Sequence, residues 1–226
     1  MKRKPDKHMP YFVVLEALRE SRECPLCALE SVCMSRYFDG LVYERVNDPG
    51  VRGDLARSKG FCHRHAHRLL ECGDSFGTSI LYVDHVRNFA HFIEDVGGRQ
   101  DTLRLKDAKN WAVHEGCPAC RLQMEDRERR VHMLLEGLSE PEMLHAFQES
   151  AGLCVPHFLI VMEAARDAET RRCIIEVMRD KYGALLADLS EFQRKREWQH
   201  AHEPLGKEGD SWARAVRMIV GGRGLF

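Results

Sequence analysis

Apolar residues recur along this chain at three- and four-residue intervals almost throughout, and no strand-length run alternates apolar with polar positions. That period belongs to amphipathic helices, so the pattern predicts an all-α protein. A first helix is expected over about 11–22, with Phe12, Leu15, Leu18 and the neighbouring Val13 and Val14 on its apolar side. A second should run over about 27–46, where the NDPG turn at 47–50 leads into a short helical segment ending before Gly60. The clearest pattern of the first half lies over about 75–96. There Tyr82, Val86, Phe89, Ile93 and Val96 alternate steps of four and three residues, and such a stripe requires an apolar partner.

Gly97, Gly98 and the polar RQDTLRLKDAKN then read as a link, and the second half opens at about Trp111. Its elements come in the same order: a helix over about 120–137, a short helix started by Ser139, Pro141 and Glu142, and a long helix over about 169–198. Ile174, Met178, Tyr182, Leu185, Leu189 and Phe192 line that long helix with a stripe comparable to the one in the first half. A polar stretch, HAHEPLGKEGD, precedes a last short helix whose Trp212, Val216, Ile219 and Val220 share a face expected to dock on the protein's own bundle. The organisation predicted is a first helical repeat at 1–98, a second at 99–200, and a tether with an amphipathic helix at 201–226.

The chemistry is duplicated with the helices. Cys24 and Cys27 of CPLC recur 93 residues later as Cys117 and Cys120 of CPAC, and Cys62 and His65 of FCHRH recur 92 residues later as Cys154 and His157 of LCVPH. A C-x2-C knuckle aims two thiolates at one point, and C-x2-H at a helix start sets sulfur and imidazole one turn apart on the same side. Two such halves complete a tetrahedron, so the eight residues form two Cys3His metal sites in an internally duplicated helical bundle. Gly60 and Gly152, each two residues before the third cysteine, free the backbone to enter the next helix. The gap inside each copy accommodates a helical hairpin, and each ion is expected to clip its own hairpin to the following helix, within one repeat. Exchange of half-sites between the copies is the alternative.

Three thiolates and an imidazole suit zinc, two ions per chain; an iron-sulfur cluster is the alternative cofactor. Redox-active dithiols would not need the accompanying C-x2-H, and a c-type haem would need His directly after each C-x2-C. His63 and His67 flank His65, but their counterparts are Val155 and Leu159, so they are read as solvated helix residues. Cys33, Cys72 and Cys173 lack cysteine counterparts and are read as buried or partly buried thiols.

Charge narrows the partners. Thirty-four basic and 35 acidic side chains give a net charge of -1, with no global pull toward nucleic acid or an anionic membrane. The apolar stretch after the basic amino terminus, YFVVLEAL, is too short for a secretory segment, and none approaches a bilayer span; a cytoplasmic protein is expected, where C-x2-C pairs hold metal more often than they form disulfides. G-x-S-x-G, P-loop, GxGxxG and HExxH signatures are missing, so no complete catalytic constellation is visible.

With CPLC, GFCHRH, CPAC, GLCVPH and the terminal SWARAVRMIVG, the chain resembles a bacterial family of unknown function with paired CPxC and GxCxxH motifs. The resemblance spans nearly the whole chain and implies an all-helical fold, the eight ligands and the terminal tryptophan helix. Some members have been labelled transporter substrate-binding proteins, a role the absent signal peptide does not support here. The functional expectation is a protein-interaction scaffold stabilised by two structural zinc sites, with a partner met through the C-terminal helix. An iron-sulfur redox carrier or sensor is the alternative, and an enzyme with a pocket between the halves, using His63 or His67, is the third reading.

Overall fold

The computed structural model describes residues 9–97, 106, 109, 111 and 116–226. Among them are ten α-helices and no strand. The polar link expected over 98–110 lies, apart from Lys106 and Lys109, outside the described residues. The helices are α1 (Met9–Glu20), α2 (Pro25–Glu44), α3 (Pro49–Ser58), α4 (His63–Glu71), α5 (Ser75–Gly97), α6 (Pro118–Gly137), α7 (Pro141–Glu149), α8 (Val155–Ala164), α9 (Ala168–Arg196) and α10 (Ser211–Val220). A 3₁₀ turn at Lys207–Asp210 leads into α10. No described helix is long and apolar enough to cross a membrane.

Local signals explain the boundaries. The carboxylate of Asp48 accepts the Val51 N–H at 2.9 Å and Pro49 fills the first turn of α3, where its missing N–H costs little. Asp167 caps α9 likewise, through the Thr170 N–H at 2.8 Å. Ser139 does not cap α7 as expected. Its hydroxyl donates back to the Glu136 carbonyl at 2.8 Å, and Glu140 takes the N-cap position without a side-chain bond.

The chain forms two compact units, one of 1–31 with 126–226 and one of 32–125. These units cut across the repeats expected at 1–98 and 99–200. Helices α2 and α6 each begin in one unit and end in the other. In the first unit Tyr11, Val14, Leu15 and Leu18 of α1 occupy successive turns and join Leu134, Met143, Phe147 and Ile174 in one core. Phe12, expected on that face, lies on the outer side. Each fully buried side chain of this kind contributes roughly 1.5–3 kcal/mol. The second unit has its own core of Met34, Phe38 and Leu41 with Leu55, Phe61, Leu69 and Leu81, where Phe38 meets Phe61 edge to face at 5.3 Å.

Two expected stripes face elsewhere. On α5 the buried position is Leu81, whereas Val86, Phe89 and Ile93 are exposed. On α10 the docking face is Ser211 and Met218, packed on α8 and α9, whereas Trp212, Val216, Ile219 and Val220 point to solvent. The stretch before α10 is anchored by ion pairs of Arg194 with Glu203 at 2.5 Å and Lys195 with Glu208 at 2.7 Å, and α10 itself by Arg214 with Asp188 at 3.0 Å.

Candidate metal centres

All eight predicted ligands converge, but in exchanged pairs. One cluster unites Cys24 and Cys27 with Cys154 and His157; the other unites Cys62 and His65 with Cys117 and Cys120. Closure within each repeat, the expectation from sequence, is therefore corrected. The reason is arm length. Helix α2 has 20 residues and spans about 30 Å, while α3 has 10 and spans only about 15 Å, an arm too short to retrace α2 and bring Cys62 to the knuckle of its own repeat. The second copy has the same mismatch, with 20 residues in α6 and 9 in α7.

Each half-site is a helix start. Cys62 and Cys154 are the N-caps of α4 and α8, in extended conformation, and Cys24 and Cys117 accept the first backbone hydrogen bonds of α2 and α6 at 3.1 and 3.2 Å. The second ligand of each pair follows three residues on, one turn later on the same side. Every cluster thus lies between two helix amino termini, whose unpaired N–H groups favour thiolates. Gly60 and Gly152 make the entries possible. Their φ values of 97° and 82° are left-handed, and a Cβ on Gly152 would lie 3.2 Å from Cγ of Lys181.

The ligand atoms are spaced for a single ion. In the first cluster Nδ1 of His157 lies 3.4, 3.3 and 3.3 Å from Sγ of Cys24, Cys27 and Cys154, and the sulfurs of Cys27 and Cys154 are 3.6 Å apart. In the second, Nδ1 of His65 lies 3.4, 3.6 and 3.3 Å from Sγ of Cys62, Cys117 and Cys120, with Cys62 and Cys120 again 3.6 Å apart. A tetrahedron with metal–sulfur bonds of about 2.3 Å and metal–nitrogen bonds of about 2.0 Å has edges of about 3.8 Å between sulfurs and about 3.5 Å from sulfur to nitrogen. No disulfide joins any of the nine cysteines, all of which are described.

A second ring of groups orients the imidazoles, and it too is duplicated. Nε2 of His157 lies 2.7 Å from Oε1 of Glu30, and Nε2 of His65 lies 3.1 Å from Oε1 of Gln123. Glu30 and Gln123 are 93 residues apart, each three residues after the second cysteine of its knuckle. Acceptors at Nε2 keep the proton there and leave Nδ1 for the metal. The sequence reading missed this pair, although the offset that found the ligands also marks it. Glu30 is buried and accepts two bonds from Arg127, at 2.6 and 2.8 Å, whereas Arg64 donates to Gln123 at 3.2 Å and to Sγ of Cys120 at 3.8 Å.

The thiols of each cluster are electrostatically unequal. Hydrogen bonds with Cys24 and Cys27 hold Cys154 down to about 4, and the bond to Cys154 is the largest influence pushing Cys27 well above the ordinary thiol range. Burial pushes Cys120 up to about 12; at Cys62 burial is outweighed by the His65 N–H and the neighbouring thiols, so its pKa falls. Burial, aided by Arg64, takes His65 down to about 4, which keeps its imidazole neutral. At His157 burial is outweighed by Cys24 and Glu30, and the pKa rises. A bound dication would displace the remaining thiol protons.

The two centres differ in cover. All four residues of the first are buried, while Cys62 and Cys120 of the second are partly exposed. The segment after α10 makes the difference: the Gly222 N–H donates to Sγ of Cys27 at 3.2 Å, the Phe226 ring stands edge-on to His157 at 5.0 Å, and Arg127 lies over that ring at 4.6 Å. Of the remaining candidates, His63 and His67 are exposed on α4 with rings 4.5 Å apart, and Cys33, Cys72 and Cys173 are partly buried outside both clusters.

Fold and site together define an all-α protein with two Cys3His clusters able to hold metal ions. The chain belongs to the family of unknown function DUF6062, which it matches over residues 7–224. It is 28% identical over 211 residues to the uncharacterized 23.9 kDa protein in the xynA 3' region of Caldicellulosiruptor sp. (strain Rt8B.4), covering 92% of this chain and 99% of that relative. No solved structure matches the chain.

Proposed function

We propose that the protein is a zinc-stapled helical scaffold, with one structural ion in each cluster and a protein partner met through the C-terminal helix. The spacing of the ligand atoms carries this reading. Sulfur–sulfur distances of 3.6 Å suit four ligands on one ion, whereas an iron-sulfur cluster spreads its ligands over several irons. A filled Cys3His tetrahedron leaves no position for substrate, so the ions hold structure rather than perform chemistry. The absence of disulfides suits a reducing cytoplasm, and the four exposed apolar side chains of α10 suit a partner. Metal analysis of protein purified without added metal is expected to find about two zinc ions per chain in a colourless solution. A brown, iron-rich preparation would overturn the proposal.

A further inference from the structure

Three cations, Arg22, Lys181 and Arg217, line one cleft of about 290 Å³ in the unit of 1–31 with 126–226. None of the three has a hydrogen-bond or ion-pair partner among the described residues. Acids close by in sequence are engaged elsewhere. Asp180 pairs with Arg179 at 3.2 Å, and Asp188 and Asp210 pair with Arg214, the fourth cation of the wall, at 3.0 and 2.7 Å. Arg214 is thus satisfied within the fold, whereas the other three charges are left for something else.

Helix periodicity builds the walls. Lys181, Ala184 and Leu185 of α9, and Arg214, Arg217 and Met218 of α10, each stand at i, i+3 and i+4, so either helix sets cations beside apolar groups on one face. Leu185 and Met218, 9% and 7% exposed, are the most buried residues of the lining, and Ala151 and Ala184 add apolar surface without filling the space. Arg22 and Arg217 are exposed and Lys181 is half-buried. Positive charge therefore gathers toward solvent over an apolar interior.

That arrangement selects a ligand chemistry. The volume lies at the lower end of small-molecule sites, which span roughly 300–1,000 Å³, and calls for a compact ligand. The interior suits hydrocarbon, and unpaired guanidinium groups suit a carboxylate, which they bind through two parallel hydrogen bonds. Glu23 also lines the cleft and is unpaired among the described residues, so it opposes a second negative charge and favours a monoanion over a phosphate ester. We infer that the cleft binds a small monocarboxylate with an apolar body, of the medium-chain fatty acid kind, its head held by Arg22, Lys181 and Arg217 and its body against Leu185 and Met218. Arg22 and Glu23 directly precede Cys24, and Ala151 lies three residues before Cys154, so the ligand would rest on both chain segments that enter the first cluster. This site goes beyond the scaffold reading and does not depend on which metal the clusters hold.

Isothermal titration calorimetry of the full chain as purified, with sodium octanoate as the probe and metal measured on the same samples, tests the inference. One octanoate per chain should bind, about tenfold more tightly than 1-octanol, which lacks the charge, and more tightly than octyl phosphate. Arg217→Glu and Lys181→Glu reverse charges that have no partner, so metal and helix content should be retained while octanoate affinity falls about tenfold in each. Ala184→Trp, at an exposed position, should fill the cleft and abolish binding. Octanoate that does not saturate, equal affinity for octanol, tighter binding of octyl phosphate, or an Arg217→Glu variant that binds like the wild type would each overturn the inference. Should a glutamate variant lose metal or helix content, Arg217→Gln and Lys181→Gln make the same comparison without reversing the charge.

Discussion

Replacing Cys24 by alanine removes one ligand from a cluster whose other members are Cys27, Cys154 and His157. Because each imidazole lies 3.3–3.6 Å from three sulfurs of its own cluster, the substitution should cost one ion of two and leave the other site filled. A second substitution then reads the pairing. Cys24→Ala with Cys154→Ala damages the same cluster twice and should still leave one ion per chain, whereas Cys24→Ala with Cys62→Ala damages both and should leave none. Closure within repeats predicts the reverse. The energy at stake is large: a structural zinc contributes about 10–16 kcal/mol of apparent binding free energy, against a net stability of about 5–15 kcal/mol for a whole domain. Loss of the first ion should therefore expose the amides of 126–226 to exchange while the cluster in 32–125 protects its own surroundings. Native mass spectrometry counts the ions and hydrogen exchange locates the damage. An ion retained by the Cys24→Ala, Cys62→Ala variant would refute the exchanged pairing.

Three further outcomes are expected. A competing chromogenic chelator should remove the two ions in separate phases, the ion at the partly exposed Cys62 and Cys120 leaving first, and Phe226→Ala should narrow the gap by uncovering His157; a single phase in the wild type would contradict this. Glu30→Ala strands the partly buried Arg127 guanidinium and the His157 N–H, and urea denaturation should show a loss of about 3–5 kcal/mol, with a smaller loss for Glu30→Gln; a loss under 1 kcal/mol would sink the assigned role. Lys195 foremost, with the Gly206 N–H, holds Glu208 at about 2, and Arg194 does the same for Glu203. Since both folded values lie below the ordinary carboxylate pKa of about 4.3, the anchoring they provide is complete above that pH and is lost as pH falls toward 2. Glu208→Gln at neutral pH should reproduce the acid effect as faster amide exchange over 211–220, with metal retained, and unchanged exchange would refute the anchor.

Much of this was legible in the residues. The period of the apolar positions located α1, α2, α5, α6 and α9 to within a few residues, and the repeated knuckles marked all eight clustered residues, because helix geometry and ligand spacing are local properties. What lay beyond local pattern was orientation. Val86, Phe89 and Ile93 have the spacing of a buried seam, but nothing in α5 tells whether the chain supplies a cover. On α10 the apolar face that stands out, Trp212 to Val220, is the exposed one, while docking runs through Ser211 and Met218, beside Arg214, whose charge Asp188 and Asp210 satisfy. The cover over the first cluster was also invisible, since Gly222 and Phe226 have no counterpart in the first copy to flag them.

The pairing of half-sites shows which physical quantity decides such a question. Shorter loops close more cheaply, which favours joining Cys27 to Cys62, 35 residues on, over Cys154, 127 residues on. Loop-closure entropy grows only as (3/2)RT ln n, however, so that preference is worth about 1 kcal/mol. A metal site worth about 10–16 kcal/mol overrides it tenfold, and the ligands go wherever rigid helices deliver them. Here the 20 residues of α2 and the 10 of α3 make unequal arms, and the same inequality in α6 and α7 returns the fourth ligand pair to the wrong end of its own repeat. Exchange between copies is then the arrangement in which both tetrahedra can close. Lengthening α3 and α7 by about three turns each would remove the mismatch, and a chain so altered should bind two ions within repeats instead.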